Sequence, residues 1–311
     1  MLRYTVRRIL YLVPTLFGVT LLTFCLFHFA GGNPAAQQLG QYANAEQIAT
    51  LEKEMGLDRP IYEQYLKSLW QSLTFDFGRS WASQQKISDL ILDGIGPSLS
   101  LTIPSFLFVT ALSICIALFM AYRRHSRTDQ LILVACLAGM SISSLVYILY
   151  MQYWLAFRAG IFPITGWDPS LLGRFAYLAL PILIFVLISI GGHVLYFRAI
   201  FLEEILSDYV RTARAKGLAE SEILLSHVLK NALVPIISLI TLEMPFLILG
   251  SLLLESFFGI PGLGGLIYQA IQNADYPVIK AMTFFGALLY MFFQLAADLL
   301  YAYVDPKVEL K

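Results

Sequence analysis

The feature that most constrains this chain is a series of six apolar runs, each long enough to cross a lipid bilayer as a helix. A membrane span needs about 20 apolar residues, because every backbone polar group in lipid must be bonded within the segment. Charged residues make up only 14% of the 311, against roughly 25% in soluble domains. The runs show no period-two alternation, which disfavours a transmembrane barrel. The sequence therefore predicts an all-α integral membrane protein with spans at about 9–30, 98–122, 131–157, 175–197, 236–258 and 279–301.

The first run resembles a secretory signal only superficially. Basic residues precede it in "MLRYTVRRILYLVPTLFGVTLLTFCLFHFA", but its apolar part is about 22 residues long. A signal has an apolar core of roughly 7–15 residues followed by a small-x-small cleavage site, and no such site follows here. We expect a retained first helix.

Positive charges at the ends of the runs predict the orientation. Lys and Arg near span ends favour the cytoplasmic side, and short loops count more than long ones. Both termini and the segment around residue 210 are therefore expected in the cytoplasm. The basic residues on that side are Arg3, Arg7, Arg8, Arg123, Arg124, Arg127, Arg198, Arg211, Arg214, Lys216, Lys230, Lys307 and Lys311.

The chain divides into three expected segments. Residues 1–30 form the N-terminal cytoplasmic tail and first span, and 31–97 form a long extracytoplasmic helical loop. Residues 98–311 form a five-span core that includes a cytoplasmic loop at 198–235. In the outer loop, Asn44 and Gly56 are expected to bound one helix, with a second starting near Pro60. The second helix has an apolar face for packing on the membrane domain or for contact with a delivery protein, formed by Ile61, Tyr65, Leu69 and Leu73.

A short cationic segment, "DYVRTARAKGL" at 208–218, separates the fourth and fifth runs. Ser207 or Asp208 can cap the free N–H groups of a helix here, and Gly217 suits the left-handed residue that ends one. A helix of about two turns is not stable without a supporting surface. The residues alone leave two interpretations open. The segment is either a docking helix, with apolar area at Tyr209, Val210 and Leu218, or an ordinary basic loop of the cytoplasmic side.

This segment carries a resemblance to a known family. The stretch "DYVRTARAKGLAESEILLSHVLKNALVPII" is similar to the cytoplasmic signature loop of ABC importer permeases, and resembles in particular the dipeptide, oligopeptide and nickel branch. Four further stretches agree in order along nearly the whole chain: "GLDRPIYEQYL", "DFGRSW", "ESFFGIPGLGGLI" and "DLLYAYVDPK". Arg211 stands where other branches place glutamate, and Lys230 where they often have proline.

A third departure lies in the third run. The family has a Ser-Ile-Pro-type break where this chain reads "SISSLV" at 141–146. Serine can still bend a helix by donating to the carbonyl four residues earlier. The loss of the proline leaves open how this span bends and how the pore near it is shaped, and it weakens the transfer of a substrate from relatives.

The resemblance implies one half of a translocation pore, the B-type permease of a heterodimer with a second homologous permease subunit. It implies two cytosolic ATP-binding subunits, which bind the ATP and Mg²⁺, and an extracytoplasmic solute-binding protein. This chain itself is then non-catalytic, lies in the bacterial cytoplasmic (inner) membrane, and binds no cofactor and no nucleic acid. The implied solute is a dipeptide, an oligopeptide, chelated nickel or a similar small molecule. In the family the short helix docks on the ATPase, and the matching residues here are Tyr209, Arg211, Thr212, Ala213, Arg214, Lys216 and Gly217.

The glycine-rich stretch "GIPGLGG" at 259–265 is not a nucleotide-binding loop. No Lys-Ser/Thr follows it, and the chain contains no "GK" pair. We expect a tight outer turn before the sixth run. Glu255 matches the family motif, where it either orders this loop or acts in a gate. The expected residues of the outer gate or loop are Glu255, Gly259, Pro261, Gly262 and Gly264.

Ionisable side chains within the runs are the remaining candidates. An ionised carboxylate in the bilayer costs at least a few kcal/mol unless it is paired or hydrated. Glu243 is therefore expected to have a structural partner or to be protonated, or else to line the pathway and attract a cationic amine. His28 and His193 are expected to be hydrogen-bonded packing residues, and no metal site is expected. We expect Asp298 and Asp305 to make caps and ion pairs.

Two other functional classes compete with the permease interpretation. A secondary transporter or channel that acts without an ATPase is disfavoured, because no internal repeat is found and no second in-span carboxylate lies near Glu243 in sequence. A structural or assembly protein of the membrane would not need a docking helix for an ATPase.

Overall fold

The computed structural model describes residues 2–29, 32–39 and 44–304, and in these ranges the regular structure is helical. Five helices are long and apolar enough to cross a membrane, and a bent pair of helices gives a sixth span. The predicted all-α membrane fold is confirmed. The predictions for Asp305, Lys307 and Lys311 lie outside the described residues.

The helices of the described part are numbered in chain order. They are α1 (Leu2–Phe29), α2 (Pro34–Leu39), α3 (Ala45–Met55), α4 (Ile61–Leu73), α5 (Ile87–Tyr122), α6 (Arg127–Met140), α7 (Ser144–Met151), α8 (Leu171–Ile205), α9 (Asp208–Ala215), α10 (Glu220–Glu222), α11 (Leu229–Leu249), α12 (Leu252–Phe258), α13 (Leu263–Gln272) and α14 (Tyr276–Val304). Two π-helical segments, Gln152–Arg158 and Ile223–Val228, extend α7 and join α10 to α11.

The membrane helices are longer than the apolar runs that predict them. α5 begins at Ile87, before the apolar run that starts at 98, and the boundary of the outer loop at 97 stays a prediction. α8 extends to Ile205 and α11 begins at Leu229, well beyond the predicted 197 and 236. Hydropathy marks only the apolar part of a helix, whereas the backbone hydrogen bonds continue through the flanking polar residues.

The third span is broken where the sequence departs from the family. The axis bends by 89° between α6 and the helix that starts at Ser144. The Ser141 hydroxyl donates to the Leu137 carbonyl at 2.9 Å, which is the four-residue back-bond expected of a serine bend. The third span therefore bends at this point without a proline.

The chain folds as two compact units, of which the first comprises Met1–Ile95 and Leu266–Lys311. Within it, α4 lies against α1: the Tyr65 hydroxyl is 3.1 Å from the Thr20 hydroxyl and Leu69 is buried. Ile61 and Leu73 remain about half exposed. The apolar face of α4 is therefore packed at its centre and open at its ends.

The outer loop of this unit has the helix boundaries that its sequence predicts. The Gln47 side chain accepts from the Asn44 N–H at 3.1 Å, and Gly56 ends α3 in the left-handed region with φ of 76°. Asp275, just before α14, then fixes the "DFGRSW" turn. Its carboxylate accepts from the Ser80 hydroxyl at 2.5 Å and from the Trp81 N–H at 3.1 Å.

The second unit, Gly96–Gly265, contains two apolar clusters. One joins α5, α7, α8 and α12, and includes Leu101, Ile148, Leu180, Ile184 and Phe258. The other lies at the opposite end of α8 and includes Phe197, Phe201, Ile205, Val210 and Ile223.

A charged pair ties two helices of the second unit together. Arg198 of α8 donates two hydrogen bonds, each of 2.8 Å, to the carboxylate of Asp129 in α6. The Asp129 side chain is only 4% exposed, so the bidentate pair is largely removed from water.

Candidate functional site: the α9 segment, the glycine loop and a histidine–glutamate pair

The α9 segment is a separate two-turn helix with a glycine stop. Gly217 has φ of 81°, its N–H donates to the Arg214 carbonyl at 2.9 Å, and the Leu218 N–H donates to Ala213 at 3.4 Å. This is the Schellman arrangement, and the predicted stop at Gly217 is confirmed. The side-chain cap predicted at Ser207 is wrong: Ser207 is the N-cap residue, but its hydroxyl makes no cap bond to α9 and donates to the Glu204 carbonyl at 2.6 Å.

One face of α9 is packed into the chain's own core. Val210 is fully buried and Ala213 is 5% exposed, in the cluster with Phe201 and Ile205 of α8. The expectation that Val210 offers apolar area to a partner is therefore wrong. The chain itself supplies the surface that so short a helix needs.

The opposite face of α9 is polar and exposed. Arg211, Thr212, Lys216 and Gly217 are exposed, and the Arg211 guanidinium is only 3.6 Å from Asp208 in a pair that is solvated on both sides. Such a pair contributes little, so Arg211 remains available to another surface.

Arg214 and Tyr209 connect α9 to its neighbours. Arg214 donates to the Glu220 carboxylate at 2.6 Å, and this hydrogen bond raises the pKa of Arg214 above its ordinary value. The Tyr209 hydroxyl donates to Glu204 at 2.6 Å, and burial, aided by that contact, raises the pKa of Tyr209. Of the expected coupling residues, these two and Ala213 fix the helix in place, whereas the others face outward.

The glycine loop is built around a buried carboxylate. Glu255 is 0% exposed. One of its oxygens accepts from the Ser98 hydroxyl at 2.9 Å and the Ser251 N–H at 3.0 Å, and the other accepts from the Gly265 N–H at 2.9 Å. The Ser98 hydroxyl in turn accepts from the Leu263 N–H at 2.8 Å. The carboxylate therefore lies at the N-terminus of α13, where negative charge is favoured.

Gly250, which precedes α12, and the glycines of the loop leave room for that carboxylate. A Cβ at Gly250 or Gly262 would collide with the Glu255 side chain, and a Cβ at Gly264 would lie 2.6 Å from the backbone of Ser251. Gly259 has φ of 67° and ends α12, and Pro261 is exposed. These contacts agree with the ordering role expected for Glu255, whereas its gate role stays a prediction.

Glu243 lies beside a histidine of the neighbouring span. Its Oε2 is 3.1 Å from the Nε2 of His193, and the His193 Nδ1 is 3.0 Å from the Ser189 carbonyl. A carbonyl only accepts, so Nδ1 carries a hydrogen. The contact between Nε2 and Oε2 then requires one more proton, and the pair is either imidazolium with carboxylate or imidazole with carboxylic acid. Its net charge is zero in both forms, and both side chains stay partly open, at 14% for His193 and 29% for Glu243.

Several contacts of the site join residues that are far apart in sequence. Ser98 and Glu255 are separated by 157 positions and His193 and Glu243 by 50. The sequence does not single out Ser98, and it predicts His193 as a hydrogen-bonded packing residue without identifying Glu243 as its partner. The only signal in the sequence is the rule that ionisable side chains in lipid are paired or hydrated. This rule predicts that Glu243 has a partner, but it does not identify which residue the partner is. No cluster of three or more potential metal ligands occurs among the described residues.

The fold and these contacts define a multi-pass helical membrane protein with a buried-carboxylate loop and a short, separately capped polar helix. A family model described as "Binding-protein-dependent transport system inner membrane component" matches residues 113–310, and the corresponding N-terminal model matches residues 1–102. The chain belongs to this family, the non-catalytic permease subunits of ABC importers, in the peptide, oligopeptide and nickel branch.

Curated relatives match over the full length. The glutathione transport system permease protein GsiC of Escherichia coli (strain K12) and that of Shigella flexneri serotype 5b (strain 8401) are each 32% identical over 311 residues. The protein of the same name from Shigella boydii serotype 4 (strain Sb227) is 31% identical over 319 residues. In each comparison the match covers 100% of both chains.

Proposed function

We propose that this chain pairs with a second homologous permease subunit to form a solute pathway, and that it couples to a cytosolic ATPase through α9. Two ATP-binding subunits hold the nucleotide and Mg²⁺, and an extracytoplasmic solute-binding protein delivers the solute. The observation that carries this proposal is the two-sided character of α9. One face is packed into the core and the other presents exposed cationic and small side chains.

The coupling proposal explains why α9 is fixed so firmly. A helix that transmits motion must be held by the spans on one side and be free to contact a partner on the other. Val210 and Ala213 give the first contact, and Arg211, Thr212 and Lys216 offer the second. An ATPase that binds this face differently in its open and closed states would shift the equilibrium of the spans.

The proposed orientation places both termini and α9 in the cytoplasm. It rests on the positive charges at Arg123, Arg124 and Arg127 between α5 and α6, and on those of α9. The glycine loop and the segment 31–97 then face the outside, where Glu255 and its loop are placed to act in an outer gate.

The proposed solute is a dipeptide, an oligopeptide or a similar small molecule. The relatives are named for glutathione transport, and glutathione is a tripeptide, so it is the first solute to assay. Because the His193–Glu243 pair has no net charge, it supports a pathway in which Glu243 does not select solutes by their charge.

The experiment is affinity purification of the tagged chain from its host in mild detergent, with mass spectrometry of the proteins that accompany it. Arg211→Glu reverses a charge on the exposed face and leaves the core contacts of α9 intact. Arg127→Glu, on the same proposed side but outside α9, is the matched control. We expect wild type and Arg127→Glu to retain an ATPase subunit and a second permease, and Arg211→Glu to lose the ATPase alone.

Two results would contradict the proposal. Purification of the wild-type chain without an ATPase under several mild conditions would favour the lone transporter. If wild type and a variant with reversed charge at both Arg211 and Lys216 retain the ATPase equally, the exposed face of α9 does not contact the ATPase.

A further inference from the structure

We propose that the first unit contains an anion-binding cavity, which takes the carboxylate or phosphate of a ligand that also carries an apolar group. The cavity has a volume of about 370 Å³ and lies between the end of α1, the helix α4, the turn at 77–81 and the start of α14. Ligand pockets in proteins begin at roughly 300 Å³. The inference does not depend on the ATPase contact proposed for α9.

The charges that line the cavity are strongly unequal. It contains four cations, Arg59, Lys67, Arg79 and Lys280, against one carboxylate, Glu63. Among the side chains that the structure describes, none of the four cations forms an ion pair within 4.0 Å. An excess of unpaired positive charge in a concave site concentrates anions there.

Lys280 is the most informative of these cations. It belongs to α14, close to the start of a membrane span, where an ammonium group is costly unless something compensates its charge. Its described neighbour is the ring of Phe27, whose centroid is 5.7 Å from Nζ. A cation–π contact offsets only part of the lost hydration, so the site favours an anion beside Lys280.

Aromatic rings form the apolar wall of the cavity. Tyr276 contacts both Phe27, at 4.9 Å between centroids, and Trp81, at 5.9 Å. Phe24 lines the same wall one turn earlier in α1. Cations beside aromatic faces match a ligand whose anionic head adjoins an apolar group.

The walls are held mainly by contacts that do not involve the cationic groups, although the Arg79 guanidinium donates to the Gln84 carbonyl at 2.8 Å. Asp275 fixes Ser80 and Trp81, and the Gln64 side chain donates to the carbonyls of Leu57 and Arg59 at 2.9 and 2.8 Å. The cationic side chains are therefore carried by an ordered frame, which reduces the entropy lost when a ligand binds.

Two sources supply such a ligand: the headgroup of an anionic lipid, or a solute with a free carboxylate. The test uses the full-length chain purified with its partner subunits in a neutral detergent. The probes are phosphatidylglycerol against phosphatidylcholine, and N-acetyl-trialanine against its C-terminal amide. Binding is read from retained ligand in native mass spectrometry and from the midpoint of thermal unfolding, which rises when a ligand binds the folded state.

Lys280→Met removes the charge and keeps an apolar side chain of similar length. Lys53→Gln is the control, because it removes a charge of α3 that does not line the cavity. We expect wild type and Lys53→Gln to bind at least one anionic probe in preference to its neutral counterpart. Lys280→Met should weaken that binding by about tenfold or more, because it removes the charged hydrogen-bond donor that Lys280 offers to an anion.

The outcomes separate the sources and the failures. Loss of phosphatidylglycerol alone identifies the lipid as the ligand, and loss of the acetylated peptide alone identifies a solute carboxylate. Equal binding of anionic and neutral probes, or binding unchanged in both Lys280→Met and Arg79→Gln, overturns the site. Retention of the partner subunits by Lys280→Met shows that it is folded and keeps this result distinct from a failure of the coupling proposal.

Discussion

The hydroxyl of Ser98 in α5 donates to the carboxylate of Glu255 in α12 at 2.9 Å, and both residues are completely buried. The same hydroxyl accepts from the backbone of Leu263, so one serine connects the carboxylate to the helix that follows the glycine loop. This buried network therefore helps to fix the loop.

The network predicts that Ser98→Ala is strongly destabilising. The change leaves the Leu263 N–H without its acceptor and removes one donor from Glu255. Each such loss costs about 1–3 kcal/mol when the remaining group is buried. We expect a total loss of about 2–6 kcal/mol in the free energy of unfolding, measured by reversible denaturation in detergent. Ser256→Ala, which removes only a hydroxyl bonded to the Leu252 carbonyl of its own helix, should change it by less than about 1 kcal/mol.

The close approach at Gly264 predicts a second effect on stability. In Gly264→Ala the new methyl group would lie 2.6 Å from the backbone of Ser251, which has no side-chain freedom to move away. Overpacking of this kind costs about 1–3 kcal/mol. Gly18→Ala is the control, because the helical Gly18 has nothing within 4 Å of an added Cβ. It should be neutral or stabilising by about 0.5–1 kcal/mol, and equal losses in the two variants would contradict the argument.

The ion pairs of Arg198 and Arg211 predict very different losses of stability when the arginine is removed. Arg198→Ala leaves the buried carboxylate of Asp129 without its bidentate partner, which costs about 3–5 kcal/mol. Arg211→Ala breaks an i,i+3 pair whose side chains are 75% and 97% exposed, which costs about 0–1 kcal/mol. Thermal unfolding of both variants in one detergent gives the comparison. A loss for Arg211→Ala as large as that for Arg198→Ala would refute it.

The proton count of the His193–Glu243 pair predicts how solute charge affects transport. Since the pair is neutral, Glu243→Gln should change the uptake of cationic and neutral peptides by the same factor. The assay is competitive uptake into proteoliposomes that contain the whole transporter. His193→Ala is the informative companion, because it leaves Glu243 unpaired and should raise the preference for the cationic peptide. Selective loss of cationic uptake in Glu243→Gln would mean that the carboxylate itself binds the solute.

Local chemistry predicted the local features of this chain well. Gly56 and Gly217 end their helices in the left-handed region as their residue type and position indicate. The Ser141 hydroxyl makes the back-bond available to it at the break in the third span. Each of these features depends on residues within one or two helical turns, so the local sequence is sufficient to predict it.

The contacts between helices could not be predicted in the same way. The face that α9 turns inward depends on Phe201 and Ile205 of α8, and a basic, alanine-rich octet fits either orientation. The helix ends were placed too far inward, because hydropathy responds to lipid and not to backbone hydrogen bonding. The partners of Glu255 and Glu243 follow from the packing of spans, which a pairing rule alone does not determine.

The apolar cluster that α9 shares with one end of α8 has an expected mechanical consequence. α8 is 35 residues long, about 52 Å at a rise of ~1.5 Å per residue. Near one end, Phe201 lies in the apolar cluster that also contains Val210 of α9, and Leu178 lies in the second apolar cluster about 35 Å away. Closely packed side chains do not compress, so we expect a displacement of α9 to be passed through this cluster to α8 instead of being absorbed within it. A tilt of about 5° then moves the distant end by about 3 Å, the width of a water molecule.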